Sequence, residues 1–417
     1  MADARPPDRN KRAGNTRGAK SGKVADFRYK SAPQPDNNRS SRTARPGSMA
    51  QQIADPRRKW PADLSAIGGL RAPGHGEAYA ALDLGTNNCR LLIARPSGED
   101  FTVIDAFSRV VRLGEGLATS GRLSDAAMDR TLSALAICAD KLRRRNVRLA
   151  RSVATEACRR ASNGPAFIER VRSETGIALD IISAEEEARL AVLGCHILLE
   201  AGDGPAVIFD IGGGSTELVL VEAGTPEARV PRILDWQSVP WGVVSLTDTV
   251  GRLEASEADR IARYAAMRDL VGSSFAPFAE RVRAAANHPD IRLLGTSGTV
   301  TTLASLHLEL PHYDRKAVDG LIVPSHAMRA ISTRLSAMAP AERSQLPCIG
   351  QDRADLVVAG CAILEAILDL WPARRLGVAD RGIREGILRS LMATEHRRER
   401  PPLGDLARPR SEQGERS

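Results

Sequence analysis

One pattern occurs twice in this chain and restricts its fold more than any other feature. A short apolar strand ends in an aspartate, a glycine turn follows, and a second apolar strand returns at once. Asp83, Gly85 and the run Leu91, Leu92 and Ile93 make the first copy; Asp210, Gly212 and Leu218, Val219 and Leu220 make the second, at a constant offset of 127 residues. Tyr79 to Leu84 with Arg90 to Ala94, and Ala206 to Ile211 with Glu217 to Glu222, therefore read as two hairpins. A carboxylate at the end of a buried strand needs a partner. The repeat predicts two similar halves facing each other across a cleft.

Between and after the hairpins, strands alternate with helices, which argues for an α/β architecture. Ser124 caps a helix with Asp125 in its first turn, apolar Met128, Leu132, Leu135, Cys138 and Leu142 on one face, and Arg143 to Arg145 at its end. A strand over Arg148 to Ala154, a helix from Ala166 to Gly176 and a strand over Ile177 to Ile182 follow. Leu356 to Trp371 reads as a buried helix, because Glu365 and Asp369 interrupt what would otherwise approach a membrane span.

The charge is uneven. The whole chain has 59 Lys+Arg against 51 Asp+Glu, but residues 1 to 76 hold 16 and 6 of these, and residues 77 to 392 hold 37 and 40. The +8 total thus belongs to a Pro-, Ser- and Arg-rich arm that is expected to be disordered, while the folded body is slightly acidic. The arm could touch nucleic acid through phosphates. The six cysteines form no CxxC pair, and no signal peptide or apolar span is present, so a soluble protein of a reducing cytoplasm is expected, with no membrane partner.

The chemistry sits in the turns. Glycine lets backbone amides converge on an anion without a β-carbon in the way. Here both turns join two strands, whereas dinucleotide and Walker-type loops open a helix. Thr86 and Asn87 lie in the first turn; Gly212, Gly213, Gly214, Ser215 and Thr216 form the second, followed by Glu217. Amides beside carboxylates suit phosphate held next to a hard cation such as Mg²⁺. A third run, Gly295, Thr296, Ser297 and Gly298, turns a strand into the helix Val300 to Leu308, where first-turn amides are unpaired. Ser183 and Glu186 form a capping box, which accounts for Glu185 and Glu186; Glu187 lies one step further, on another face.

Together these motifs resemble the exopolyphosphatase and guanosine pentaphosphate phosphatase (Ppx/GppA) family. ALDLGTNNCRLLIAR from Ala81, VATEACRRA from Val153, IISAEEEARLAVLG from Ile181, VIFDIGGGSTELVLV from Val207, LLGTSGTVTTLA from Leu293 and DRGIREGIL from Asp380 stand in the family's order and spacing. The resemblance implies an actin-like (ASKHA) fold of two ribonuclease-H-like lobes with the active site between them. It implies Mg²⁺-dependent hydrolysis of terminal phosphate from polyphosphate or pppGpp. Glu187 matches the family's proposed base and Arg159 the arginine thought to hold a substrate phosphate. Asp210 and Glu217 match acidic residues linked to the metal and to catalysis, and Ser215 a phosphate-contacting serine; Asp83 opens the first phosphate loop and is expected to join them at the metal. With the helix dipole acting on it, Glu187 is expected to have a lowered pKa.

The expected domains are the arm 1–76, a first lobe over 77–184 completed by a C-terminal helix over 383–395, a second lobe over 185–382, and a polar tail over 396–417. A homodimer is expected. Longer relatives carry a further helical domain related to HD phosphohydrolases; the 25 residues after Met392 resemble the short two-domain form. An actin-like kinase, which would need a carbon acceptor, and a non-catalytic nucleotide-binding scaffold are the competing readings.

Overall fold

The structure, a computed structural model, describes residues 77–399 except 99, 203, 223–229 and 252–255. The basic arm expected over 1–76 and residues 400–417 of the expected tail lie outside the described residues.

Strands β1 (Ala78–Leu84), β2 (Asn88–Ser97), β3 (Asp100–Val110), β4 (Val147–Ala154) and β5 (Leu179–Ile181) form one sheet in the order β3-β2-β1-β4-β5. Strands β6 (Ala206–Ile211), β7 (Thr216–Val221), β8 (Ile233–Val239), β9 (Arg292–Thr296), β10 (Ile322–Pro324) and β11 (Arg375–Ala379) form a second, ordered β10-β11-β9-β6-β7-β8. In both sheets the first three strands are antiparallel, and the next two run parallel to the first of them. The second sheet differs by the edge strand β10, antiparallel to β11. These are two ribonuclease-H-like lobes, the actin-like arrangement that the repeat and the resemblance lead one to expect.

β1 is apolar on both faces because both are covered. Ala80, Leu82 and Leu84 pack with Leu91 and Ile93 against Leu132, Leu135 and Cys138 of the helix Asp125–Arg144. Ser124 Oγ caps that helix by accepting from the Ala127 amide. On the other face Tyr79, Ala81, Leu92 and Ala94 meet Ile383, Ile387 and Leu388 of the C-terminal helix Ile383–Glu399. The second lobe is built around the helix Leu356–Leu370, whose fully buried Ile363, Leu364 and Ile367 each contribute about 1.5–3 kcal/mol. β3 went unforeseen because it is an edge strand whose mixed polar pattern matches its partly exposed faces.

One exchange sets the geometry of the cleft. The helix Ala184–Cys195 leaves β5 of the first sheet but lays Ala188, Val192 and Cys195 on the second sheet, against Ala206, Ile208, Val219 and Val221. The helix Ile383–Glu399 leaves β11 of the second sheet and covers the first. The two helices cross at glycines. A β-carbon on Gly194 would lie 1.9 Å from the Gly382 carbonyl oxygen, and one on Gly386 would lie 2.0 Å from that of Leu190. Only backbones without side chains can approach this closely.

Candidate active site

The duplicated turns are alike down to their hydrogen bonds. Gly85 N–H donates to the Asn88 carbonyl and Gly212 N–H to the Ser215 carbonyl, each at 2.9 Å. The turns also touch. A β-carbon on Gly213 would come within 2.9 Å of Thr86 Cβ and 3.1 Å of the Asn87 nitrogen, and one on Gly214 within 2.6 Å of Thr86 Oγ1. The Gly212 and Gly213 carbonyls accept from the Val243 and Val244 amides at 3.0 and 2.8 Å. The Asn87 carbonyl accepts from Val111 and Arg112. The amides of Thr86, Asn87, Gly213 and Gly214 donate to no backbone carbonyl outside the strand ladders among the described residues. With the carbonyls occupied, the amide edges are what these turns offer a ligand.

A cleft of about 920 Å³ of empty space, partly open to solvent, lies over them. Asp83, Thr86, Asn87, Glu187, Asp210, Gly212, Gly213, Gly214, Ser215, Ser297 and Gly298 all line it. Arg159, Thr216, Glu217 and Gly295 are not among its lining residues. Glu217 is buried just behind, its Oε1 accepting from Ser215 Oγ at 2.7 Å and Ser238 Oγ at 2.9 Å. Thr216 Oγ1 donates to the Trp241 carbonyl at 2.6 Å, and Gly295 makes room for the Phe209 ring and Val300, so both hold structure together.

Strand alternation explains why the acids converge. Tyr79 and Ala81 face the C-terminal helix, so Asp83, two residues on, continues that stripe past its apolar end. Ala206 and Ile208 lead to Asp210 in the same way, and Asp210 pairs with Glu217 across the hairpin. Burial, reinforced by Asp83 and opposed by Arg90, raises Asp210 to about 6. Burial and the Asp210 carboxylate raise Glu217 to about 7 against its two hydroxyl donors. Asp83 is raised by burial, and its Oδ1 is buried without a hydrogen-bond partner.

Glu187 enters from the first turn of the helix Ala184–Cys195, whose cap is Ser183 Oγ accepting from the Glu186 amide at 3.1 Å. The expectation of a lowered pKa is corrected. Burial first, and Glu217 second, push Glu187 well above the usual carboxylate range, outweighing Arg159 and the helix dipole. Arg159 is engaged with protein: Nη1 donates to Glu187 Oε2 at 3.0 Å and to the Ile182 carbonyl at 2.9 Å, and Nη2 to Glu156 Oε2 at 2.6 Å.

Opposite the glycine turns, Ser297 opens the helix Gly298–His307 with φ +110°, a conformation L-residues rarely adopt. Its buried Oγ has no partner, and neither has Asn87 Oδ1. Strain and unmatched polar atoms at one place point to a ligand site.

Three charged lining residues escaped the sequence reasoning: Arg90, Glu156 and Arg353. Arg90 was within reach of it, because the 127-residue offset puts it where Glu217 stands, and both pair across the hairpin with the turn's aspartate. Glu156 precedes the arginines it binds, and Arg353, whose Nη1 donates to Thr302 Oγ1 at 3.4 Å, carries no local signal. Among the described residues no three His, Cys, Asp or Glu side chains converge as a self-contained metal cage. Nor is any helix among them long and apolar enough to cross a membrane.

Comparison with known proteins matches residues 92–395 to the Ppx/GppA phosphatase family. The chain is 30% identical over 329 residues to Exopolyphosphatase 2 of Mycobacterium tuberculosis, covering 75% of this chain and 98% of that protein. It is 29% identical to the guanosine-5'-triphosphate,3'-diphosphate pyrophosphatase of Aeromonas salmonicida, covering 76% of this chain but 60% of that protein. Among solved structures, the Aquifex aeolicus family member superposes with TM-score 0.62 at 27% identity, covering 76% of this chain and 98% of that one. An exopolyphosphatase from Cytophaga hutchinsonii superposes with TM-score 0.66 at 25% identity and the same coverage.

Proposed function

This chain belongs to the Ppx/GppA phosphatase family, and on that premise we propose that it is an exopolyphosphatase, releasing terminal phosphate from inorganic polyphosphate to water. The observation that carries this reading is the pair of touching turns, their amide edges facing a cleft with Asp83, Asp210 and Glu187 in its wall and Glu217 behind. Phosphoryl transfer to water asks mainly for positioning and for charge to be countered at the phosphoryl oxygens.

The Thr86, Asn87, Gly213 and Gly214 amides and the Ser297 hydroxyl take phosphate oxygens. Glu187, whose proton affinity is raised by burial, accepts the proton of the attacking water. Arg159 fixes that carboxylate in position; its three observed hydrogen bonds favour this over direct contact with phosphate. Ser215 orients Glu217. The bond from the terminal phosphorus to the bridging oxygen breaks as the water oxygen bonds to phosphorus, leaving orthophosphate and a chain shorter by one unit.

A divalent cation fits this donor set. The acids offer hard oxygens, and the unpartnered Asp83 Oδ1 is suited to a ligand. Mg²⁺ is commonly held by one or two carboxylates, with water and substrate phosphate completing its shell. That requirement agrees with a site where no three acids form a cage by themselves. Asp83 and Asp210, in the cleft wall, are the residues that would hold it, with Glu217 behind Asp210 adding its charge. What a bound Mg²⁺ supplies is neutralisation of charge on the phosphoryl oxygens.

A second reading, hydrolysis of pppGpp, is favoured by the similarity to the Aeromonas pyrophosphatase. Its chemistry is the same and its substrate differs. The deciding experiment is phosphate release with Mg²⁺ from long polyphosphate, tripolyphosphate, pppGpp and ATP, each repeated with EDTA. The expected result is release from polyphosphate that EDTA abolishes. Release from pppGpp alone would favour the second reading, and release that requires a carbon acceptor would make the protein a kinase.

A further inference from the structure

The segment Asp380 to Glu385 joins β11 to the C-terminal helix, and its charged groups form a nearly closed set of pairs. Asp380 accepts from Arg315 Nε at 2.9 Å, and Glu385 accepts from Arg315 Nη2 at 2.9 Å and from the Gly382 amide at 2.9 Å. Arg381 binds Asp319 at 2.7 Å. Arg384 is left over: it has no hydrogen bond or ion pair among the described residues, because Arg315 has taken both acidic neighbours.

Its position is fixed by the packing around it. Ile383, beside it, lines the cleft. Ile383, Ile387 and Leu388 cover the stripe Tyr79–Ala81 of β1 and Leu92–Ala94 of β2, and the next residues along that stripe, towards the turn, are Asp83 and Arg90. Arg384, in the first turn of the helix, lies near that end of the stripe: its charge acts on Asp83 and on Arg90, and it stands one residue from the cleft lining at Ile383 without being a lining residue itself. The glycine contacts of the crossing helices hold this turn against the helix that carries Glu187. Arg90, its cationic neighbour on the cleft wall, likewise has no ion pair among the described residues. The two guanidinium groups repel each other, and Asp83, which acts on both, offsets part of that repulsion. Desolvation, the largest influence on Arg384, disfavours its charge against the attraction of Glu385, Asp83 and Asp380, and an incoming anion would add to that attraction.

We infer that Arg384 is a substrate-binding residue, its guanidinium taking phosphate oxygens of the polyanion on the Asp83 side of the cleft. The inference rests on the phosphohydrolase reading for the identity of the anion. It gives the DRGIREGIL motif a chemical role: Arg315 neutralises the segment's acids so that Arg384 stays open to ligand. The planar fork of an arginine suits two oxygens of one phosphate.

The test uses the full chain and inorganic tripolyphosphate. Calorimetric titration of the wild type and of Arg384→Met in EDTA should show Kd weakened about tenfold or more in the variant, the scale of a lost hydrogen bond to a charged group. KM should rise with Mg²⁺ present, and the melting temperature should stay unchanged. An Arg384→Met variant with wild-type Kd and KM overturns the inference. If that variant does not fold, phenylglyoxal labelling of the wild type decides. Arg384 should be labelled in the free protein and protected by tripolyphosphate; equal labelling with and without it, or none in either state, rejects the assignment. Wild-type protein that binds tripolyphosphate through Arg384 yet releases no phosphate from any substrate would sink the hydrolase reading and leave this one standing.

Discussion

At the residue scale the site is a set of buried charges whose partners determine their roles. Glu187 has one cationic partner, Arg159, and lies in a setting that raises its proton affinity. Glu187→Gln should fold normally and lose phosphate release by about 10² or more, the scale of losing a general base; near-normal turnover would remove Glu187 from the mechanism. Glu217 permits a test that needs no substrate. Its carboxyl titrates near 4.5 when exposed and at about 7 when folded, so the folded state binds the proton more tightly. The stability this contributes is fully present below pH 4.5 and is lost as pH rises through 7. In metal-free protein, Glu217→Gln should therefore gain stability relative to wild type between pH 4 and pH 8, by up to about 3 kcal/mol. Urea unfolding at both pH values measures it, and a difference independent of pH would show that Glu217 is not raised. Asp83 and Asp210 were legible in the sequence because each ends an apolar strand at the same point of a repeat. The pairing of Arg159 was not, since Glu156 and Glu187 compete for it in three dimensions, and the direction of the Glu187 shift depends on burial that no local pattern reveals.

At the element scale, the hairpins and the helices with apolar stripes could be read from the chain, because their periodicity mirrors two-sided or one-sided burial. The helix expected from Ala166 ends where foreseen, with Gly176 at φ +75° as its cap. What could not be read was where two helices go after leaving their strands. Ala184–Cys195 and Ile383–Glu399 each have an apolar stripe that would suit either sheet, and the choice is made by the glycine crossing. The close approach predicts that Gly194→Ala, forced against the Gly382 carbonyl, destabilises by about 1–3 kcal/mol, as overpacking does. Because Glu187 and Arg384 ride on the two helices, phosphate release should fall as well. Chemical denaturation with a parallel activity assay checks both, and wild-type stability would mean that the crossing relaxes freely.

At the scale of the whole molecule, net charge is a poor guide to this site. The body is slightly acidic, yet cationic and anionic groups are separated locally, with Arg90 and Arg353 among the lining residues beside Asp83 and Asp210. The lobes also meet at the cleft mouth, where Arg112 binds Asp352 at 2.9 Å and the Gly116 amide donates to Asp248 at 3.2 Å. The ion pair is 44% and 67% exposed, so it should contribute no more than about 1 kcal/mol. Asp352→Ala is expected to leave unfolding stability within that margin in a urea titration, and a loss of 3 kcal/mol or more would make this contact a structural support. The crossed helices, by contrast, have a consequence for synthesis. Tyr79, Ala81, Leu92 and Ala94 on the apolar face of the first sheet have all been made by residue 94, but the helix that covers them begins at Ile383, about 290 residues later. At 5–20 residues per second that is roughly 15–60 s during which Tyr79, Ala81, Leu92 and Ala94 lack their final cover. The cleft can close around its acids only when nearly the whole chain has left the ribosome.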